Sequence, residues 1–225
     1  MSYHLDAAKA ERTQTADSTL FLRRIGELKT VSTSTAVING VNLKILTDTR
    51  DSQAPLKKFA VQQAVTMVTN RGFKMPADSS FLLTPEVHHQ NQAFHFDIQG
   101  TPVCWVSLGP TSTSGGSGRG ISAEPGTRFD CATRVTLHEL GHMFHAHNVG
   151  RTRFYTDDRM KAKNPGIGVQ VSGYAHQNIC KEIIAESFLG MMIGRNYGQD
   201  VLQYYQVNGG PRVLAGAGTA GFGIL

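Results

Sequence analysis

Residues 138–142 read His138-Glu139-Leu140-Gly141-His142, inside the longer run DCATRVTLHELGHMFHAHN from Asp130 to Asn148. Asp130 stands at an N-cap position, and Asn148 with Gly150 gives a stop signal, so the run is predicted to be one helix. On a helix, residues four apart lie ~40° apart around the axis and about 6 Å along it. His138 and His142 therefore share a face, and both imidazoles can reach one zinc ion at ~2.0–2.1 Å. Glu139 lies ~100° round from His138, beside the ligand stripe but off it. There it can take the proton of a water that zinc has made acidic. With nine histidines in 225 residues, chance produces H-E-x-x-H about 0.01 times in such a chain.

Catalytic zinc needs a third protein ligand and one open position. The continuation H-E-x-x-H-x-x-G-x-x-H fails, because His145 and Asn148 stand where Gly and His are required. His145 sits ~10 Å along the axis from His138, too far to share the metal. His145 and His147 are read as outer-sphere or solvated groups. A second long helix is expected over Asn178 to Tyr197, apolar on nearly every face. Its run KEIIAESF puts Glu182 and Glu186 on one side, with Ile179, Leu189 and Ile193. Two carboxylates on an apolar face are costly to bury unless paired, and a metal with its histidines compensates them. Glu182 is the expected third ligand, with Glu186 accepting the free ring N–H of a ligand histidine. The reverse assignment stays open, and Asp157 and Asp158 are runner-up ligands in what reads as an exposed turn.

Just upstream lies Ser172-Gly173-Tyr174-Ala175-His176-Gln177-Asn178. A tyrosine beside zinc can donate its phenol proton to the oxyanion of a tetrahedral intermediate. Tyr174 is the first candidate and His176 the alternative.

Together, HELGH and the run SGYAHQNICKEIIAESF, whose Glu182 lies 40 residues after His142, resemble the anthrax lethal factor-like zincin metallopeptidases, a group that also includes phage- and toxin-associated proteins. That family's pattern is H-E-x-G-H, a long gap, then S-x-Y-A, an Asn, and E-x-x-A-E-x-F. The resemblance covers Asp130 to Tyr197. It implies His138, His142 and Glu182 as metal ligands for Zn2+, Glu139 as general base, Tyr174 as transition-state donor and Glu186 behind a ligand histidine. Tyr174 and Glu182 are eight residues apart, one more than the pattern. The implied fold is an α+β zincin-like one: a small twisted sheet, a backing helix, the active-site helix and a second helix supplying the glutamate. The implied activity is zinc-dependent hydrolysis of peptide bonds in a protein or peptide substrate. The rival function is a zinc-containing structural or assembly protein, for example a phage virion component.

The remaining chain is compatible with that plan. Val31 to Thr47, around Asn39-Gly40, reads as a β-hairpin. Asp51 to Pro55 reads as a turn, and Lys57 to Asn70 as the backing helix, with Phe59, Val61, Ala64, Val65 and Val68 apolar. Ser80–Leu83, Ala93–Ile98 and Pro102–Leu108 are strand candidates, and one of the latter two is expected at a sheet edge able to bind an extended peptide. Pro110 to Gly126 is a flexible linker by composition, or a lid beside the site. Arg151 to Gly168 reads as polar and irregular. The expected organisation is an arm over 1–30 with a short helix over Leu20–Leu28, a zincin-like catalytic domain over 31–208, and a Gly-rich apolar tail over 209–225.

Composition agrees with one globular domain: 40% hydrophobic, 17% charged and a formal charge of +5. The basic residues occur in pairs and singles such as Arg23-Arg24 and Lys57-Lys58, so no specific nucleic-acid partner is expected. No apolar run approaches the ~20 residues of a membrane span. Cys104, Cys131 and Cys180 are odd in number and without metal-ligand spacing, which argues against a disulfide framework. Met1 to Thr19 is polar and lacks an apolar signal core. Synthesis in the cytoplasm is expected, followed by virion association or export as an effector. Neighbouring protein chains are possible partners of the arm and tail.

Overall fold

The computed structural model describes residues 31–76, 79–85, 92–98, 101–114 and 120–212. The arm over 1–30 with its expected helix, and the tail beyond Arg212, lie outside the described residues.

At Asn39 and Gly40 the backbone takes φ of 49° and 78°, the paired positive values a two-residue hairpin turn needs. Strand β1 (Val31–Ile38) thereby folds back on β2 (Val41–Asp48), in register from Ile38↔Val41 to Val31↔Asp48. The Asn39 amide also donates to Thr69 Oγ1 at 2.8 Å and Asn70 Oδ1 at 2.9 Å. It ties the turn to the end of helix α1 (Ala54–Asn70). That helix starts three residues before Lys57. Pro55 lies in its first turn rather than in a preceding loop, where its missing N–H costs nothing. Ala60, Val61, Ala64, Val65 and Val68 are buried on its inner face. Phe59 is not among them: it is 58% exposed and stacks at 5.0 Å on Phe129.

Helix α1 carries the chain from β2 to β3 (Ser79–Leu83), which runs parallel to β2. Strand β4 (Gln92–Ile98) leads back into β5 (Thr101–Leu108), which lies parallel to β3. The sheet order is β1-β2-β3-β5-β4, so β1 and β4 are antiparallel edges around a parallel centre. Leu43, Ile45, Phe81, Leu83, Val106 and Leu108 of the sheet share one core with residues of α1 and of α2 (Arg128–Val149). The architecture is α+β.

Thr127, not Asp130, caps α2: its Oγ1 accepts from the Asp130 N–H, and the Asp130 carboxylate accepts from the Thr127 N–H. This reciprocal box starts the helix three residues earlier than an Asp130 cap predicts. The stretch expected to be irregular forms short helices α3 (Arg151–Thr156), α4 (Asp158–Lys161) and α5 (Pro165–Val171). After α6 (Gly173–Gln177) comes α7 (Cys180–Met192), shorter at both ends than Asn178 to Tyr197. Helix α8 (Gln199–Val207) follows it. Among the described residues no helix is long and apolar enough to cross a membrane.

Candidate metal centre

Helices α2 and α7 cross where Gly141 meets Ala185. A Cβ on Gly141 would lie 3.1 Å from the Ala185 Cα and 3.2 Å from a Phe188 ring carbon. This close approach brings His138 and His142 on one helix to Glu182 and Glu186 on the other.

Three donor atoms converge. His138 Nε2 lies 3.1 Å from His142 Nε2, and each nitrogen lies 3.2 Å from the same Glu182 oxygen, Oε2. Tetrahedral coordination at ~2.0–2.1 Å gives ligand–ligand edges of about 3.3–3.4 Å. The triangle is within a few tenths of an ångström of that spacing, and two imidazoles with a carboxylate suit a first-row divalent metal. His138, His142 and Glu182 can therefore hold a metal ion.

Glu186 sits on the opposite side of the His138 ring. Its Oε1 lies 2.9 Å from His138 Nδ1, so Nδ1–H donates to it and Nε2 is left free to face the centre. Its Oε2 accepts from the Ser172 hydroxyl at 2.7 Å and the Ile121 N–H at 2.8 Å. This carboxylate is fully buried. Burial pushes its pKa up, but His138, Ser172 and Ile121 outweigh it and hold the pKa below the usual carboxylate range. The two histidines are unequal, since His142 Nδ1 is buried with no hydrogen-bond partner among the described residues.

Charge pairing also dominates at the triangle. Burial alone would lower His138, yet hydrogen bonds to Glu182 and Glu186 hold its pKa well above the ordinary imidazole value. Burial would raise Glu182, yet His142 and His138 hold it well below the ordinary carboxylate value. The donor atoms that suit a metal also attract a proton, so a metal ion bound here would have to displace one.

Glu139 is buried next to the cluster, and its charge is felt by both His138 and Tyr174. The Tyr174 ring lies 6.0 Å from the His138 ring, edge to face. Burial first, then the charges of Glu182 and Glu139 and a hydrogen bond to Glu182, raise the Tyr174 pKa. Between Tyr174 and Glu182, Asn178 and Ile179 are extended and link α6 to α7. Ile179 pairs there with Lys163.

His176 is not brought to the cluster. It is exposed, with Nδ1 3.2 Å from the Pro165 carbonyl. Asp157 caps α4 through the Arg159 N–H and pairs with Arg153, and Asp158 follows it at the start of that helix. His147 is exposed. His145 is not solvated: it is fully buried, and its Nε2–H donates to the Asn208 carbonyl at 2.9 Å. Two contributors escaped the sequence reading. Ser172 stood only as a letter of the S-x-Y-A pattern, and Ile121 lay in a run whose composition reads as linker. The short turn Ile121–Ala123 is instead anchored, with Ile121 fully buried.

Comparison of the chain with protein-family models, with curated proteins and with solved structures finds no match.

Proposed function

We propose that this chain is a zinc-dependent peptidase of the zincin type. The observation that supports this best is the donor triangle of His138, His142 and Glu182 with the Glu139 carboxylate buried beside it. A purely structural metal clasp has no use for Glu139, which favours catalysis over an assembly role. Zinc held by these three residues supplies a Lewis acid for the scissile carbonyl and lowers the pKa of a water toward ~7.

The chain's own residues do the rest. Glu139 takes the proton of the attacking water and passes it to the leaving amine. Tyr174 steadies the oxyanion by hydrogen bonding. Its raised pKa keeps the phenol protonated, hence a donor, at neutral pH. Glu186 fixes the His138 tautomer. Among the described strands β4 pairs only with β5, and it packs along α2. An extended substrate segment adds to that edge by backbone hydrogen bonds.

The test is zinc loading and peptide-library hydrolysis by wild type and Glu139→Gln. Both should bind zinc, and the variant should lose ~100-fold or more of the cleavage rate. Full activity in Glu139→Gln would contradict the proposal.

A further inference from the structure

We propose that Ser172 is a positioning residue whose single hydroxyl fixes two parts of the site: the carboxylate that orients His138 and the helix that carries Tyr174. The inference rests on the metal-centre reading above. Ser172 lies between α5 and α6 with an extended backbone (φ −165°, ψ 165°). Its Oγ is 3.0 Å from the Ala175 N–H and 2.7 Å from Glu186 Oε2. A hydroxyl has one proton and two lone pairs. The Ala175 N–H can only donate, so Oγ accepts there and caps α6. Its proton is then committed to Glu186.

Glu186 has little freedom left. Ile121 N–H holds the same oxygen from another side at 2.8 Å. Behind the carboxylate stands Gly120, where a Cβ would lie 3.1 and 3.2 Å from the two oxygens and 3.3 Å from the Tyr174 Cβ. The Glu186 side chain and α6 thus close on Gly120 together and are joined by one hydroxyl. A shift of α6 pulls on the partner of His138, and a rotation of Glu186 pulls on the cap of the helix bearing Tyr174.

The experiment compares full-length wild type, Ser172→Ala, Ser172→Asp, Ser172→Thr and His142→Ala. Zinc affinity is read by competition with a chelator, and ligand geometry by the visible spectrum of the cobalt(II)-loaded proteins. Ser172→Ala loses both bonds. Ser172→Asp keeps an acceptor for the cap, and so the fold of α6, but has no proton for Glu186. Both should weaken zinc ~10- to 100-fold and alter the cobalt bands. Ser172→Thr retains the hydroxyl and should restore both readouts. Wild-type affinity and spectrum in Ser172→Ala or Ser172→Asp would overturn the proposal, as would a loss that threonine does not restore. Wild-type affinity in His142→Ala would instead overturn the metal-centre reading itself.

Discussion

His138 gives Nδ1 to Glu186 at 2.9 Å and so keeps Nε2 for the centre it shares with His142 and Glu182. The ring orientation of His138 is thereby set by a residue outside the donor triangle. Glu186→Gln disturbs this without changing size. With its oxygen toward His138, the amide must turn its NH2 toward the Ser172 hydroxyl and the Ile121 N–H, both donors in the native arrangement. Zinc affinity should fall ~10- to 100-fold in Glu186→Gln, measured by chelator competition, while Glu139→Gln should bind zinc like the wild type.

Gly168 and Gly166 make a matched pair within α5. A Cβ on Gly168 would lie 2.4 Å from the Ala175 carbonyl oxygen and 2.8 Å from the His176 Cα, both on α6. A Cβ on Gly166 meets nothing nearer than 3.7 Å. Gly168→Ala should cost about 1–3 kcal/mol in urea unfolding and reduce hydrolysis by displacing the helix of Tyr174. Gly166→Ala should leave both within error or slightly raise stability.

Much of this site was legible because its parts obey local rules. The i, i+4 histidines and the glutamate pair at 182 and 186 need only helical arithmetic, and Asn39-Gly40 needs only turn geometry. Ile121 was illegible because a single apolar residue after a Ser/Gly-rich run has no periodicity to betray burial. Helices α3 to α6 are too short to show a 3.6-residue pattern, although Asn164-Pro165 carries a start signal. Thr127-x-x-Asp130 was readable as a capping box, but the acidic residue drew the assignment three positions late. Phe59 followed helical spacing yet found its partner in Phe129 at the surface.

Lys57 is the clearest stability prediction away from the centre. Its ammonium is buried, 2.7 Å from Asp51 Oδ2 and 3.0 Å from the Thr84 carbonyl, with the Leu108 carbonyl at 3.4 Å. It joins the start of α1 to the ends of β3 and β5. Burial lowers its pKa, and Asp51 opposes that shift. Lys57→Met strands a buried carboxylate and should cost about 3–5 kcal/mol by chemical denaturation.

His145 predicts a pH dependence. Burial first, helped by the charges of His142, Lys181 and Arg153 and opposed by the Asn208 carbonyl, lowers its pKa to about 4. In the unfolded chain it titrates near ~6.5, so between those values the unfolded state binds more protons. Its contribution to stability is complete above about 6.5 and is lost as pH falls through about 4. Denaturation free energies measured from pH 7 to 4 should fall more steeply in wild type than in His145→Gln, by on the order of 3 kcal/mol across the range. Parallel slopes would contradict this assignment.

The most direct test of the central claim is the number of zinc ions bound per chain, measured for wild type and Glu182→Ala after dialysis against a weak chelator. One zinc in the wild type, and its loss in Glu182→Ala, is the result the donor triangle predicts. No zinc in the wild type, or wild-type retention by Glu182→Ala, would contradict it.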